Sequence, residues 1–156
     1  MAFEVSIEIG REFAVTCGMD RVFAVLADVP ESASHFPKLD QLVDLGDGAY
    51  RWEMEKIGLA SYSIQICYGC TYTSNKEEGW VDWKPVEGEG NARIEGYWNL
   101  EKADDSVHIE FYTSGVLSLS LPRLVRIVIA PLVVAEFNSL VDTYVENLKR
   151  IFGAAE

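Results

Sequence analysis

Pro131 to Phe152 reads PLVVAEFNSLVDTYVENLKRIF. Val133, Phe137, Leu140, Val141, Tyr144, Leu148 and Ile151 recur every three or four positions and share one stripe. Ser139, Asp142, Glu146, Lys149 and Arg150 lie opposite. This period predicts a long amphipathic helix, with Gly153 as its stop. Such a helix must bury its stripe, and the rest of the chain decides against what.

Most of the rest reads as strand. Phe3, Val5, Ile7, Ile9, Phe13 and Val15 fall on odd positions, with Glu4, Ser6, Glu8 and Glu12 between them. That period of two predicts a long first strand with one buried face. From Met19 the period changes. Asp20 is placed to cap a helix carrying Val22, Phe23 and Leu26 on one face, Pro30 ends it or starts a second short helix, and Pro37 stops that one. Six strand-like segments follow: LDQLVDL, YRWEMEKI, SYSIQICYGCTYT, WVDWK, ARIEGYWNLE and VHIEFYTSGVLSLSL. Turn signals separate several of them, at Gly46–Gly48, Ser74–Gly79, Pro85–Gly90 and Ala103–Ser106. Connections this short predict an antiparallel sheet of about seven strands. The expected class is α+β, in the order strand, two helices, six strands, long helix, as one domain over residues 1–156.

The spacing Cys67-Tyr-Gly-Cys70 fits a redox pair or half a zinc site only in another setting. Within a strand, residues three apart point to opposite faces, so Cys70 is expected inward and Cys67 outward. No helix follows to lower a thiol pKa, and Cys17, His35 and His108 are too scattered to complete a zinc site. The expectation is structural cysteines, no metal and no cofactor.

With 25 acids against 13 bases, the net charge is −12. This argues against nucleic acid as partner and against broad attraction to anionic membrane, although a local basic patch can still act. The most apolar stretch, Ile127 to Ala135, is too short to span a bilayer, and Arg123 and Arg126 stand just upstream. The opening MAFEVSIEIG has no basic region of the kind that begins a signal peptide. With three cysteines, these features read as cytoplasmic.

On the predicted inner face, Tyr62, Ile64, Ile66, Tyr68, Trp83, Trp98 and Phe111 converge with Phe137, Val141 and Tyr144. A dry core uses more Leu, Ile and Val, so these tyrosines and tryptophans suggest a partly hollow interior. A solid core with tyrosine tips at the rim fits the same composition. Arg126, extrapolated along the helix, falls on the inner face, with Arg123 at its edge. Pro131 intervenes, and a kink or separate turn there would send both arginines to the surface, the reading that is favoured.

The stretches FEVSIEIGREFAV and DRVFAVLADVPESASHFPKLDQLVDLGDGAYRWEM, then IEGYWNLE with VHIEFYTSG, and the closing PLVVAEFNSLVDTYVENLKRIF together resemble the START-like (SRPBCC) superfamily. Its members include polyketide cyclases and dehydrases, lipid-transfer domains and birch-pollen-allergen-like proteins. The resemblance covers essentially the whole chain. It implies a helix-grip fold, a curved sheet wrapped around the long helix, and binding of a hydrophobic molecule such as a lipid, polyketide or pigment between them. It places His35 at the mouth of the cavity, as a possible acid–base or ligand-donor group. It supplies no universal catalytic motif. Three functions stay open: a carrier of a hydrophobic small molecule, a cyclase or dehydrase, and an accessory protein that binds another protein.

Overall fold

The computed structural model describes residues 3–59 and 61–154. The chain begins with strand β1 (Phe3–Val15), followed by helices α1 (Met19–Ala27) and α2 (Val29–Ala33). Strands β2 (Leu39–Gly46), β3 (Ala49–Met54), β4 (Ile57–Leu59), β5 (Tyr62–Ile64), β6 (Cys67–Asn75), β7 (Trp80–Gly90), β8 (Ala92–Lys102) and β9 (Val107–Leu119) come next. A 3-10 turn (Arg123–Val125) leads into helix α3 (Arg126–Phe152).

Seven strands form one antiparallel sheet in the order β1-β9-β8-β7-β6-β3-β2, while β4 and β5 form a separate hairpin. β1 pairs with β9 from Phe3↔Leu119 to Val15↔Val107. Its odd residues from Phe3 to Ile9 are buried and its even ones exposed, as an alternating strand over a core requires. Ile129, Val133, Phe137, Leu140, Val141, Tyr144, Val145 and Leu148 of α3 are buried. This stripe and the inner face of the sheet form one core, closed by Val22, Phe23 and Leu26 of α1. By length and composition the segment Arg123–Phe152 could cross a bilayer. Its buried stripe instead makes it a wall of the fold.

Four local expectations are corrected. Gly18, with no side-chain bond, occupies the N-cap of α1, and Asp20 lies in the first turn. The side-chain cap belongs to α2, where Asp28 Oδ1 accepts from the Glu31 amide at 3.2 Å. The segment 61–73 is broken after Ile64. Asn91 clamps the break, donating from Nδ2 to the Gln65 carbonyl and accepting the Cys67 amide on Oδ1, both at 2.9 Å.

The expected turn at Pro85–Gly90 lies within β7. Its pairing with β6 jumps from Cys70↔Pro85 to Tyr68↔Gly90, so 86–89 bulge opposite Gly69. The glycine of Cys67-Tyr-Gly-Cys70 thereby finds its role: a Cβ on Gly69 would lie 2.9 Å from Glu89 Cβ. Finally, α3 begins before Pro131 and runs through it. The missing amide leaves the Ile127 carbonyl without its helical donor. Ile127 is exposed, so water can serve it.

Candidate functional site: an aromatic chamber between the sheet and the long helix

A cavity of about 60 Å³ lies between α3 and the sheet. Seven of the residues expected on the inner face line it: Tyr68, Trp83, Trp98, Phe111, Phe137, Val141 and Tyr144. Trp52, Tyr72, Ile94 and Thr113 add to the sheet wall. Leu26, Val29, Ser32 and Phe36, from α1, α2 and the turn after it, close one side. Tyr62, Ile64 and Ile66 do not line it. They lie at and just after the β4–β5 hairpin, off the main sheet; Ile64 and Ile66 are core residues.

Aromatic rings interlock around the cavity. Trp52 stacks on Tyr68 with centroids 5.8 Å apart and planes 9° apart. Phe36 meets Trp52 edge-on at 5.6 Å and Tyr144 at 5.0 Å. Trp98 lies 4.7 Å from Phe111 and 5.8 Å from Tyr144. Gly96 makes room for this layer, since a Cβ there would lie 2.7 Å from the Trp83 ring and 2.2 Å from the Tyr112 carbonyl.

The polar atoms in this wall are neutral. Trp52 Nε1 donates to the Tyr72 hydroxyl at 2.8 Å, Thr113 Oγ1 to the Glu95 carbonyl at 3.1 Å, and the Ser32 and Tyr144 hydroxyls bond each other. Burial pushes the phenols of Tyr68 and Tyr72 well above the ordinary tyrosine pKa. It also raises Tyr144, against the lowering effect of the Ser32 bond. All three are therefore hydrogen-bonding phenols at neutral pH. Among the described residues the Tyr68 hydroxyl has no hydrogen-bond partner. Cys70 is fully buried behind this wall, donating to the Ile94 carbonyl at 3.3 Å, and burial pushes its thiol up to about 12. Cys67, on the opposite face, is half-buried.

His35 is half-buried beside the chamber without lining it. Its Nε2 is buried, lacks a hydrogen-bond partner among the described residues, and lies 3.8 Å from Glu31 Oε1, beyond hydrogen-bond reach. Its carbonyl accepts from Asn147 Nδ2 at 2.9 Å, tying the turn to α3. Arg126 is exposed at the helix start and donates from Nε to the Glu4 carbonyl at 3.3 Å. Arg123 is exposed as well. Neither arginine lines the chamber; Arg126 stops at the backbone of the edge strand β1.

Phe36 has a second role. An outer cleft of about 370 Å³ is lined by Pro30, Ala33, Ser34, Leu39, Leu42, Asp44, Tyr50 and Phe36. Phe36 thus separates this cleft from the inner cavity. No sequence period marked it; its place depends on how α2 docks. A wider groove of about 890 Å³ on the outer side of the sheet carries Glu4, Glu8, Glu87, Glu89, Glu95 and Arg93. Acidic and open to water, it lacks the enclosure that apolar ligands require.

No protein-family model matches the chain, and no curated protein matches it. Solved structures do. A START superfamily protein from Mycobacterium smegmatis superposes with a TM-score of 0.65 at 10% identity, covering 93% of this chain and 96% of the other. The Zhui aromatase/cyclase from Streptomyces sp. R1128 gives 0.60 at 16%, covering 95% and 97%. Ginseng major latex-like protein 151 from Panax ginseng gives 0.58 at 8%, covering 96% and 99%. The fold is the helix grip that these structures share. In this helix grip the chamber lies between the sheet and the gripped helix, and its residues must carry any argument about function.

Proposed function

We propose that this protein binds a neutral hydrophobic small molecule, in the size range of one or two fused rings, within the aromatic chamber. The observation that supports this reading is the Tyr68 hydroxyl, a neutral donor without a partner among the described residues, in a wall of rings, alkyl groups and hydroxyls that are already paired with one another or with backbone. Such a wall suits a flat apolar body with one carbonyl or hydroxyl oxygen. A buried carboxylate would have no cation there and would lose its hydration. Arg126, as an acid anchor, would have to act from outside the chamber.

The cavity of about 60 Å³ exceeds the ~10–15 Å³ needed for one water. It falls short of the ~300–1,000 Å³ of pockets that take drug-sized ligands. Binding on this reading therefore requires a wall to move. Phe36, half-buried between the chamber and the outer cleft, is the side chain whose rotation joins the two.

The carrier reading is preferred to the cyclase reading. Among the described residues the lining contains no carboxylate, imidazole, amine or thiol, so proton abstraction finds no base there at neutral pH. The test is titration of tryptophan fluorescence with 2-naphthol, 2-naphthoate and naphthalene. The naphthol is expected to bind more tightly than the naphthoate by at least about ten-fold, the cost of leaving a charge unpaired. Tyr68→Phe should weaken the naphthol roughly three- to ten-fold, one neutral hydrogen bond, while leaving naphthalene unchanged. If none of the three binds, the chamber is a packed core and the reading fails.

A further inference from the structure

The first turns of α3 are apolar on both sides. At 100° per residue, Ile127, Val128, Pro131 and Leu132 occupy an arc of about 140°, facing away from the buried Ile129, Val133 and Phe137, and Leu124 stands in the 3-10 turn just before them. Leu124 is 91% exposed and Ile127 83%. Isolated exposed aliphatic residues are ordinary, but a continuous stripe of them marks an interaction site.

The charge around this stripe is the reverse of the rest of the chain. From Phe111 to Ala135 no Asp or Glu occurs, in a protein with 25 acids, whereas Arg123 and Arg126 stand exposed at the helix start. Glu4 adjoins through its carbonyl, which accepts from Arg126. The next acid along the helix, Glu136, is paired with Lys38 at 3.0 Å.

We propose that this end of α3 docks on the surface of an anionic phospholipid bilayer. Its aliphatic side chains would enter the acyl boundary, and Arg123, beside the stripe, would meet headgroup phosphate; Arg126, on the opposite side of the helix and bonded to the Glu4 carbonyl, would add only to the local positive charge. The net charge of −12 does not forbid this. At physiological salt, charges beyond about 8 Å are largely screened, so the local patch decides the contact and orients the molecule with its acidic faces away. A second copy of the chain fits less well. The stripe is far smaller than the ~20–30 residues per side of a stable interface. The proposal is independent of what the chamber holds.

The experiment is co-sedimentation of the full chain with vesicles of phosphatidylcholine mixed with phosphatidylglycerol, and with pure phosphatidylcholine vesicles. Binding to the mixed vesicles is expected, with weaker binding to the pure ones. Arg123→Ala should weaken it roughly five-fold, and Arg126→Ala, on the far side of the helix, by less. Leu124→Glu and, separately, Ile127→Ser should weaken it about ten-fold or more. Thermal melts should show all four variants folded, since these side chains are exposed. Absence of binding to mixed vesicles, or equal binding by Leu124→Glu, overturns the proposal. Concentration-dependent dimerisation that Leu124→Glu abolishes, without vesicle binding, assigns the stripe to a second copy and overturns it too.

Discussion

The hydroxyls of Ser32 and Tyr144 are hydrogen-bonded in the buried interior, joining α2 to α3 across 112 residues of chain. This bond holds the short helix over the chamber and thereby positions Phe36 against Trp52 and Tyr144. Tyr144→Phe strands the Ser32 hydroxyl in an apolar setting and should cost about 1–3 kcal/mol in urea denaturation. Adding Ser32→Ala removes the stranded group, so the double variant should cost less than the sum of the two single variants. Strictly additive costs would mean that the bond contributes nothing.

Alkaline pH should unfold the protein through its phenols. Tyr68, Tyr72 and Tyr144 titrate above the ordinary value of 10.0 in the folded chain, and Cys70 at about 12 against 9.0. The folded state thus keeps protons that the unfolded state releases. The stabilisation from these groups is complete below about pH 8 and is lost as pH rises toward the folded values. Calorimetry above pH 9 should show a falling Tm. Phenolate absorbance should rise together with loss of near-ultraviolet circular dichroism. Phenolate appearing for all tyrosines while the protein stays folded would contradict the burial argument.

The sequence revealed those elements whose period is set by burial. Phe137, Val141 and Tyr144 mark α3, and the alternation of β1 and of Val107–Thr113 marks strands over a core. Most of the chamber wall followed from that alternation. The rest was hidden because it depends on docking. Phe36 and Ser32 line the chamber only because α2 packs there, and nothing in VPESASHF sets its angle. Arg126 lay on the inner side of the helical wheel, but the wheel does not show that its side chain stops at the Glu4 carbonyl of the edge strand β1 and stays exposed. The bulge at 86–89 escaped because glycine and proline within a strand look like a turn.

Gly96 and Gly69 should be costly to change, and Cys67 cheap. A Cβ on Gly96 meets the Tyr112 carbonyl, a backbone atom in a paired strand that cannot step aside. Gly96→Ala should cost roughly 3 kcal/mol or more, and Gly69→Ala, which presses on the side chain of Glu89, about 1–3 kcal/mol. Cys67→Ser, half-buried at the start of β6, should stay within about 1 kcal/mol. Thermal denaturation of the three variants gives the ranking. Gly96→Ala as mild as Cys67→Ser would show that the sheet yields there.

Phe36 distinguishes a gated chamber from a sealed one. It lines both the cavity of about 60 Å³ and the outer cleft of about 370 Å³. If it is the gate, the barrier to ligand association is the displacement of its ring from contacts with Trp52 and Tyr144. Phe36→Ala then removes that barrier. Stopped-flow tryptophan fluorescence with 2-naphthol should show association accelerated about ten-fold, the effect of roughly 1.4 kcal/mol of barrier. The affinity should change less, because the ring's contacts are lost from both the free and the bound state. Leu117→Val, a core change in β9 that lines neither the cavity nor the cleft, should leave the association rate unaltered. If Phe36→Ala weakens binding and leaves the association rate unchanged, Phe36 is a fixed wall. The ligand must then enter elsewhere, past the β4–β5 hairpin that contacts α3.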